Sequence, residues 1–165
     1  MCVAIYPGSF DPPTLGHLDI IRRTCARFDK VVVCVMHNSA KPNSMFTCKE
    51  RKEMLEEITA AFPNLRVDTF CGLLADYVEK YKNPVVIRGL RAVSDFEYEL
   101  QMASVNKKLN DKIETVYMLA SNEYTFLSSS VVRELASYGR DLSAFVPEAV
   151  EKAILNKLNK SSDNQ

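Results

Sequence analysis

The chain is sparing with the residues that build common metal, redox and nucleotide sites. Its two histidines, His17 and His37, lie far apart, and its five cysteines at 2, 25, 34, 48 and 71 form no CxxC pair. That spacing excludes a zinc ribbon or finger. An odd set of scattered thiols reads instead as small hydrophobes in a reducing compartment. There are only five glycines in 165 residues, and they compose neither GxGxxG nor GxxxxGK[ST]. The dinucleotide fingerprint and the P-loop are therefore both missing. Charge of one sign is missing too: 21 Lys and Arg balance 21 Asp and Glu. A general polyanion binder would carry a basic face, so nucleic acid is not an expected partner. No apolar run approaches the ~18 residues of a membrane span, and no basic-then-apolar leader precedes the first strand pattern. The expectation is a cytoplasmic protein with no membrane association.

What is present is a 47% hydrophobic content, enough for one well-filled core. Short β-branched runs alternate with helical periods. Strands are expected at Val3–Tyr6, Val31–Val35, Leu65–Phe70, Pro84–Ile87 and Glu114–Leu119. Helices are expected at Thr14–Phe28, Thr47–Phe62, Leu73–Tyr81, Ser94–Asn110, Ser128–Tyr138 and Pro147–Asn159. Thr47-x-x-Glu50 and Ser94-x-x-Glu97 have the form of capping boxes, and Pro147 suits a first helical position. Apolar strands joined by helices imply an α/β fold, a doubly wound parallel sheet in a single domain. The domain spans 1–159, with a polar tail at 160–165.

Sheets of this kind bind ligands beyond the carboxyl ends of their strands. That rule selects Pro7–His17, His37–Phe46, Arg88–Arg91 and Ala120–Ser130. The first of these reads Gly8-Ser9-Phe10-Asp11-Pro12-Pro13-Thr14-Leu15-Gly16-His17. Gly8 lets backbone approach a ligand, and Ser9 offers an amide and a hydroxyl. Thr14 can cap a helix whose first turn holds Gly16 and His17. Gly16 costs about 0.8–1.0 kcal/mol against Ala in a helix interior, a cost that makes sense if a nucleotide lies on that turn. A lone histidine is usually an ordinary surface or core residue, and it is the surrounding residues that set His17 apart. Asp11 reads as a turn former. Lys41 in isolation would be a solvated loop lysine, and the Glu and Lys of 49–57 a solvated helix face. Arg88 and Arg91, flanking Gly89-Leu90, put two cations three apart at the end of a buried strand, which suits an anion. Ser128-Ser129-Ser130 offers three hydroxyls where a simple N-cap uses one.

The Thr14-x-Gly16-His17 loop resembles the T/HxGH motif of the nucleotidyltransferase superfamily, which also includes class I aminoacyl-tRNA synthetases. With Arg88-Gly-Leu-Arg-Ala-Val-Ser-Asp-Phe-Glu-Tyr-Glu99 and the serine-rich helix start, the chain resembles the bacterial-type phosphopantetheine adenylyltransferases from Ala4 to about Leu158. The resemblance implies a Rossmann-like nucleotidyltransferase fold and transfer of AMP from ATP to 4′-phosphopantetheine, giving dephospho-coenzyme A. It implies Mg²⁺ delivered with ATP, coenzyme A as a feedback ligand, and a homohexamer built as a dimer of trimers. By the same resemblance His17, Lys41 and Arg91 are catalytic. Ser9, Lys41, Leu74 and Arg88 bind the acceptor. Ser9, Phe10, His17, Gly89, Leu90, Arg91 and Glu99 bind ATP, as do Tyr124, Thr125, Phe126, Leu127, Ser128, Ser129 and Ser130. Ser9 stands where the family commonly has threonine, and Tyr124 where some members have tryptophan. A sister transferase acting on nicotinate mononucleotide or glycerol phosphate would share the first loop and the serines without needing the Arg88–Glu99 run. A nucleotide-sensing regulator would not need His17, Lys41, Arg88 and Arg91 together.

Overall fold

The computed structural model describes residues 2–37, 44–91 and 93–162. Strands β1 Val3–Gly8, β2 Lys30–Met36, β3 Leu65–Phe70, β4 Pro84–Leu90 and β5 Glu114–Leu119 form one parallel sheet in the order β3-β2-β1-β4-β5. Between and after them lie α1 Leu15–Cys25, α2 Cys48–Ile58, α3 Leu74–Val78, α4 Val93–Leu109, α5 Ser129–Ser137 and α6 Glu148–Ser162.

The inner strands are apolar on both sides because both sides are covered. Ala4, Tyr6, Val31, Val33, Val35 and Ile87 point to one face, where they pack with Ile20 and Ile21 of α1 and Leu55 of α2. Ile5, Val32, Cys34 and Val86 point to the other, against Ala75, Tyr77 and Val78 of α3. A separate cluster centred on Val132, Val150 and Ile154 joins α5 and α6 to Phe46 and Met54. The edge strands β3 and β5 are mostly half-buried or exposed instead, as strands partly open to solvent are.

Helix starts and stops follow local chemistry. Thr47 and Glu50 form the expected capping box at α2. Thr14 caps α1, and there His17 takes the part usually played by a glutamate. Gly139, with φ +64, closes α5: its amide bonds the Ala136 carbonyl and that of Arg140 bonds Leu135, the pattern of a Schellman motif. Several boundaries shift: α1 ends at Cys25 and α2 at Ile58, short of the expected Phe28 and Phe62. Helix α4 begins at Val93, so Ser94 lies inside its first turn and the Ser94-x-x-Glu97 box does not sit at an N-cap. Helix α3 ends at Val78, well short of Tyr81. Helix α6 starts after Pro147, whose carbonyl accepts from Val150 and Glu151, and it runs through Ser162 into the expected tail. A 3₁₀ turn at Asn122–Tyr124, in a stretch read as loop, bends the chain after β5.

The chain steps outward from β1 to β3, then crosses back to the far side of β1 for β4 and β5. The order therefore reverses between β1 and β4, and those two strands pair only through Val3–Pro84, Ala4–Val85 and Ile5–Val86. Each continues beside its other neighbour, β1 to Gly8 against Val35 and β4 to Leu90 against Leu119. The sheet thus splits at its carboxyl end, where such folds bind ligands.

Leu55 anchors α2 in the first-face cluster at 0% exposure, so Leu55→Ala should lower unfolding free energy by about 2–5 kcal/mol. Half-exposed Leu155→Ala should stay within about 0.5 kcal/mol. Urea unfolding of both variants checks this, and a Leu55→Ala loss below about 1 kcal/mol would contradict the packing described.

Candidate active site

The split opens into a cleft of about 480 Å³. Its floor is the end of β1. The Phe10 ring folds back over Gly8, and a Cβ on Gly8 would lie 2.9 Å from that ring, so no side chain fits there. Phe10 is 2% exposed with φ 49, a conformation a bulky residue adopts only when its surroundings impose it. Its ring meets Tyr6 edge-on at 5.3 Å and His17 at 5.0 Å. The peptide between Asp11 and Pro12 is cis.

Asp11 ties the first loop to the segment before α2. Its two carboxylate oxygens accept the amides of Met45 and Phe46, each at 2.9 Å. The Arg133 guanidinium bonds the Asp11 carbonyl and lies 3.8 Å from its carboxylate. Asp11 shapes the loop, as its sequence context suggested.

His17 is held in one tautomer. The Thr14 amide, which can only donate, reaches Nδ1 at 3.0 Å, so Nδ1 accepts and Nε2 carries the proton. Burial lowers the imidazole pKa to about 4, with Arg91 and Arg88 adding to the effect. At neutral pH the ring is therefore an uncharged donor, suited to a developing negative charge and unsuited to act as an acid. Gly16 beside it leaves room in the cleft. A methyl there would meet Tyr124, Thr14 and Leu127 at ordinary contact distances, so the protein alone does not demand glycine.

The opposite wall comes from β4 and α4. Arg88 and Gly89 stand on the strand itself, because β4 runs to Leu90, three residues past the expected end. Arg88 spans the split: Nη1 donates to the Pro7 carbonyl at 2.9 Å. Its Nε and Nη2 grip both oxygens of Glu99, Nε at 2.6 Å. Arg91 bonds Asp95 at 3.0 Å and the Leu127 carbonyl at 3.2 Å. Burial pushes the Tyr6 phenol up to about 12, with Arg88 opposing, so it remains a neutral donor at the cleft floor.

The serines divide their work. Ser128 caps α5 by accepting from Val131, while Ser129 donates to the Pro12 carbonyl at 2.8 Å. Ser130 is left at the cleft with a long contact from Arg133. The first-turn amides of Ser129 and Ser130 have no intrahelical acceptor, as at any helix start. The bend before α5 is pinned from α1. Ser121 donates to Asp19 at 2.7 Å, and Arg23 bonds both Asp19 and the Leu119 carbonyl. Burial works to raise Asp19, but hydrogen bonds from Ser121, Arg22 and Arg23 outweigh it and hold the carboxyl below its ordinary value.

The cleft therefore gathers Ser9, Phe10, His17, Arg88, Gly89, Arg91 and Glu99 with Tyr124, Leu127 and the three serines. Leu90, Thr125 and Phe126 do not line it: Leu90 is buried beside it, and Phe126 turns outward against Phe145. Leu74, the first residue of α3, packs on the second-face cluster, also outside the lining. Lys41 lies outside the described residues. Sequence reading gave no role to Arg51, Arg133 or Tyr6, all of which line the cleft. For Arg51 a signal existed, since it shares a helical stripe with Cys48, Leu55 and Ile58.

Residues 5–135 match the family model described as cytidylyltransferase-like. Among solved structures, a chain from Vibrio parahaemolyticus designated a nicotinate-nucleotide adenylyltransferase superposes with a TM-score of 0.68. It is 17% identical, over 94% of this chain and 92% of that one. At that identity the likeness establishes a shared fold.

In the ligand-free protein the His17 imidazole should stay neutral and Nε2-protonated from about pH 8 down to about pH 5. Long-range ¹H–¹⁵N correlation spectra check this. A protonation step near the ordinary 6.5 would overturn the tautomer and burial argument.

Proposed function

The chain belongs to the cytidylyltransferase-like family, and from that premise we propose that it transfers the adenylyl group of ATP to 4′-phosphopantetheine. The products are dephospho-coenzyme A and pyrophosphate, the penultimate step of coenzyme A synthesis. The observation that carries this reading is the Arg88–Glu99 run, the segment most specific to the resemblance, placed across the cleft from His17. A second reading, adenylyl transfer to nicotinate mononucleotide, is favoured by the designation of the Vibrio chain.

The acceptor phosphate is largely dianionic at neutral pH, its second pKa lying near about 6, so no base is needed to activate it. One of its oxygens attacks the α-phosphorus, the bond to the β-phosphate breaks, and pyrophosphate leaves. The barrier is the approach of two anions and the charge gathering on the α-phosphoryl oxygens. His17 Nε2–H donates to one of those oxygens. Lys41 and Arg88 hold the acceptor phosphate with Ser9. Arg91, Ser130 and the first amides of α5 take the leaving phosphates, for which arginine's planar fork is well matched. Catalysis is then positioning with electrostatic stabilisation.

Among the described residues no three His, Cys, Asp or Glu side chains could hold a metal ion together. Mg²⁺ would accordingly enter coordinated by the triphosphate and supply charge neutralisation there. No helix among the described residues is long and apolar enough to cross a membrane, and the cytoplasm is the proposed location. Coenzyme A, which contains the product's structure, is the proposed feedback ligand. The proposed assembly is a hexamer of two trimers. Along one stripe of α4, Tyr98, Met102, Val105 and Leu109 are exposed, and β5 leaves Leu119 exposed, apolar surface that suits further copies of this neutral chain. Sedimentation velocity should give about six times the 18.6 kDa chain mass, and a monomer would remove the hexamer.

With Mg·ATP, pyrophosphate should be released in the presence of 4′-phosphopantetheine and not of nicotinate mononucleotide, and EDTA should abolish release. His17→Ala should lower kcat by about 10²–10³-fold while ATP affinity stays close to wild type. Release with nicotinate mononucleotide alone would establish the second reading. An unchanged kcat with a raised KM would remove His17 from the transition state. Tight ATP binding without turnover would point to a nucleotide sensor.

A further inference from the structure

The cleft's arginines are not equivalent. Arg88 is paired with Glu99, Arg91 with Asp95, and Arg133 lies beside Asp11. Arg51 also lines the cleft, is 3% exposed, and has no carboxylate oxygen within 4.0 Å among the described residues. The sequence 38–43 contains no Asp or Glu. A guanidinium cannot shed its proton in a protein, so this side chain is a permanent buried cation without a counter-ion among the described residues.

Its hydrogen bonds explain how the charge is tolerated. Nη1 donates to the Ser9 carbonyl at 2.7 Å, Nε to the Thr47 carbonyl at 3.3 Å, and Nη2 to Cys48 Sγ at 3.1 Å. Carbonyl dipoles solvate a cation without neutralising it. Those contacts occupy three of the five N–H donors that a guanidinium carries. They also anchor the Ser9 carbonyl, at the turn where the Phe10 ring packs on Gly8. A phosphate docking beside Ser9 would supply the missing negative charge.

We propose that Arg51 is the standing positive charge of the cleft, a positioning residue that holds the Ser9 turn and attracts the phosphate binding beside it. The proposal rests on the nucleotidyl-transfer reading only in requiring a phosphate-bearing ligand. Ligands that reach Arg88 or Arg91 must compete with Glu99 or Asp95, whereas Arg51 has no such competitor.

Calorimetric titration with inorganic pyrophosphate and with 4′-phosphopantetheine tests it in wild type, Arg51→Lys and Arg51→Gln. Lysine keeps the charge but cannot rebuild the fork on Ser9 and Thr47. The expected result is a loss of about tenfold or more in anion affinity for Arg51→Gln, with Arg51→Lys recovering most of it. Equal losses in two folded variants would mean that the fork merely scaffolds the turn, overturning the charge. Should the glutamine variant fail to fold, a tenfold loss in a folded Arg51→Lys protein overturns the proposal equally. Wild type binding pyrophosphate but not 4′-phosphopantetheine would count against the acceptor alone, and the Arg51 comparison would be read on pyrophosphate. Wild type binding neither would overturn the Arg51 role.

Discussion

The parting of the two central strands beyond Ile5 and Val86 is the constraint on which the rest of the site depends. Up to that point β1 and β4 share a ladder and a core. Past it, backbone groups that would have paired must find other partners. The Pro7 carbonyl finds Arg88, a side chain from the departing strand. The guanidinium thereby bridges the two edges of the split while its remaining face engages Glu99 on α4. One residue reaching across the opening thus links β1, β4 and α4.

Much of the fold was legible because it obeys simple periods. The inner strands are continuous β-branched runs, and the order of elements dictates a doubly wound sheet. One misplaced boundary has a clear cause, tertiary pairing that overrides local signals. Arg88-Gly89-Leu90 resembles a loop in isolation, but β5 supplies a ladder for it and the strand continues. Ser94 has the chemistry of a cap, yet the helix starts one residue earlier. Within the site, the first loop and the serine cluster could be read because their residue types are unusual for their positions. Arg51 was not, because a charged residue within a helix rich in Lys and Glu looks solvated. The Lys49–Glu53 and Lys52–Glu56 pairs show that most of its neighbours are. Only its register with Cys48 and Leu55 sets it apart.

The site's electrostatics rest on groups that do not titrate near neutrality. Burial keeps His17 and Tyr6 uncharged, and the arginines cannot lose their protons. A centre built for proton transfer would hold a group poised near pH 7. This one offers fixed donors and fixed cations, which is what a reaction between two phosphate anions requires. The pairing of Arg88 and Arg91 with carboxylates fits the same logic. A carboxylate partner orients a guanidinium before the ligand arrives, reducing the ordering cost that binding must meet.

Preorganisation also accounts for the strained first loop. Phe10 holds a positive φ, its ring sits on a glycine that tolerates no side chain, and its edge meets the imidazole. Each contact removes freedom from its neighbour: the ring blocks Gly8, Thr14 orients His17, and Asp11 fixes the segment leading into α2. Arg51 closes the circuit by reaching from α2 back to Ser9. A phosphate entering this loop meets groups already in place, with little left to reorganise as charge develops on the α-phosphoryl oxygens. The loop thus trades local stability for readiness. Its strain is sustained by the same sheet and helices whose parting created the cleft.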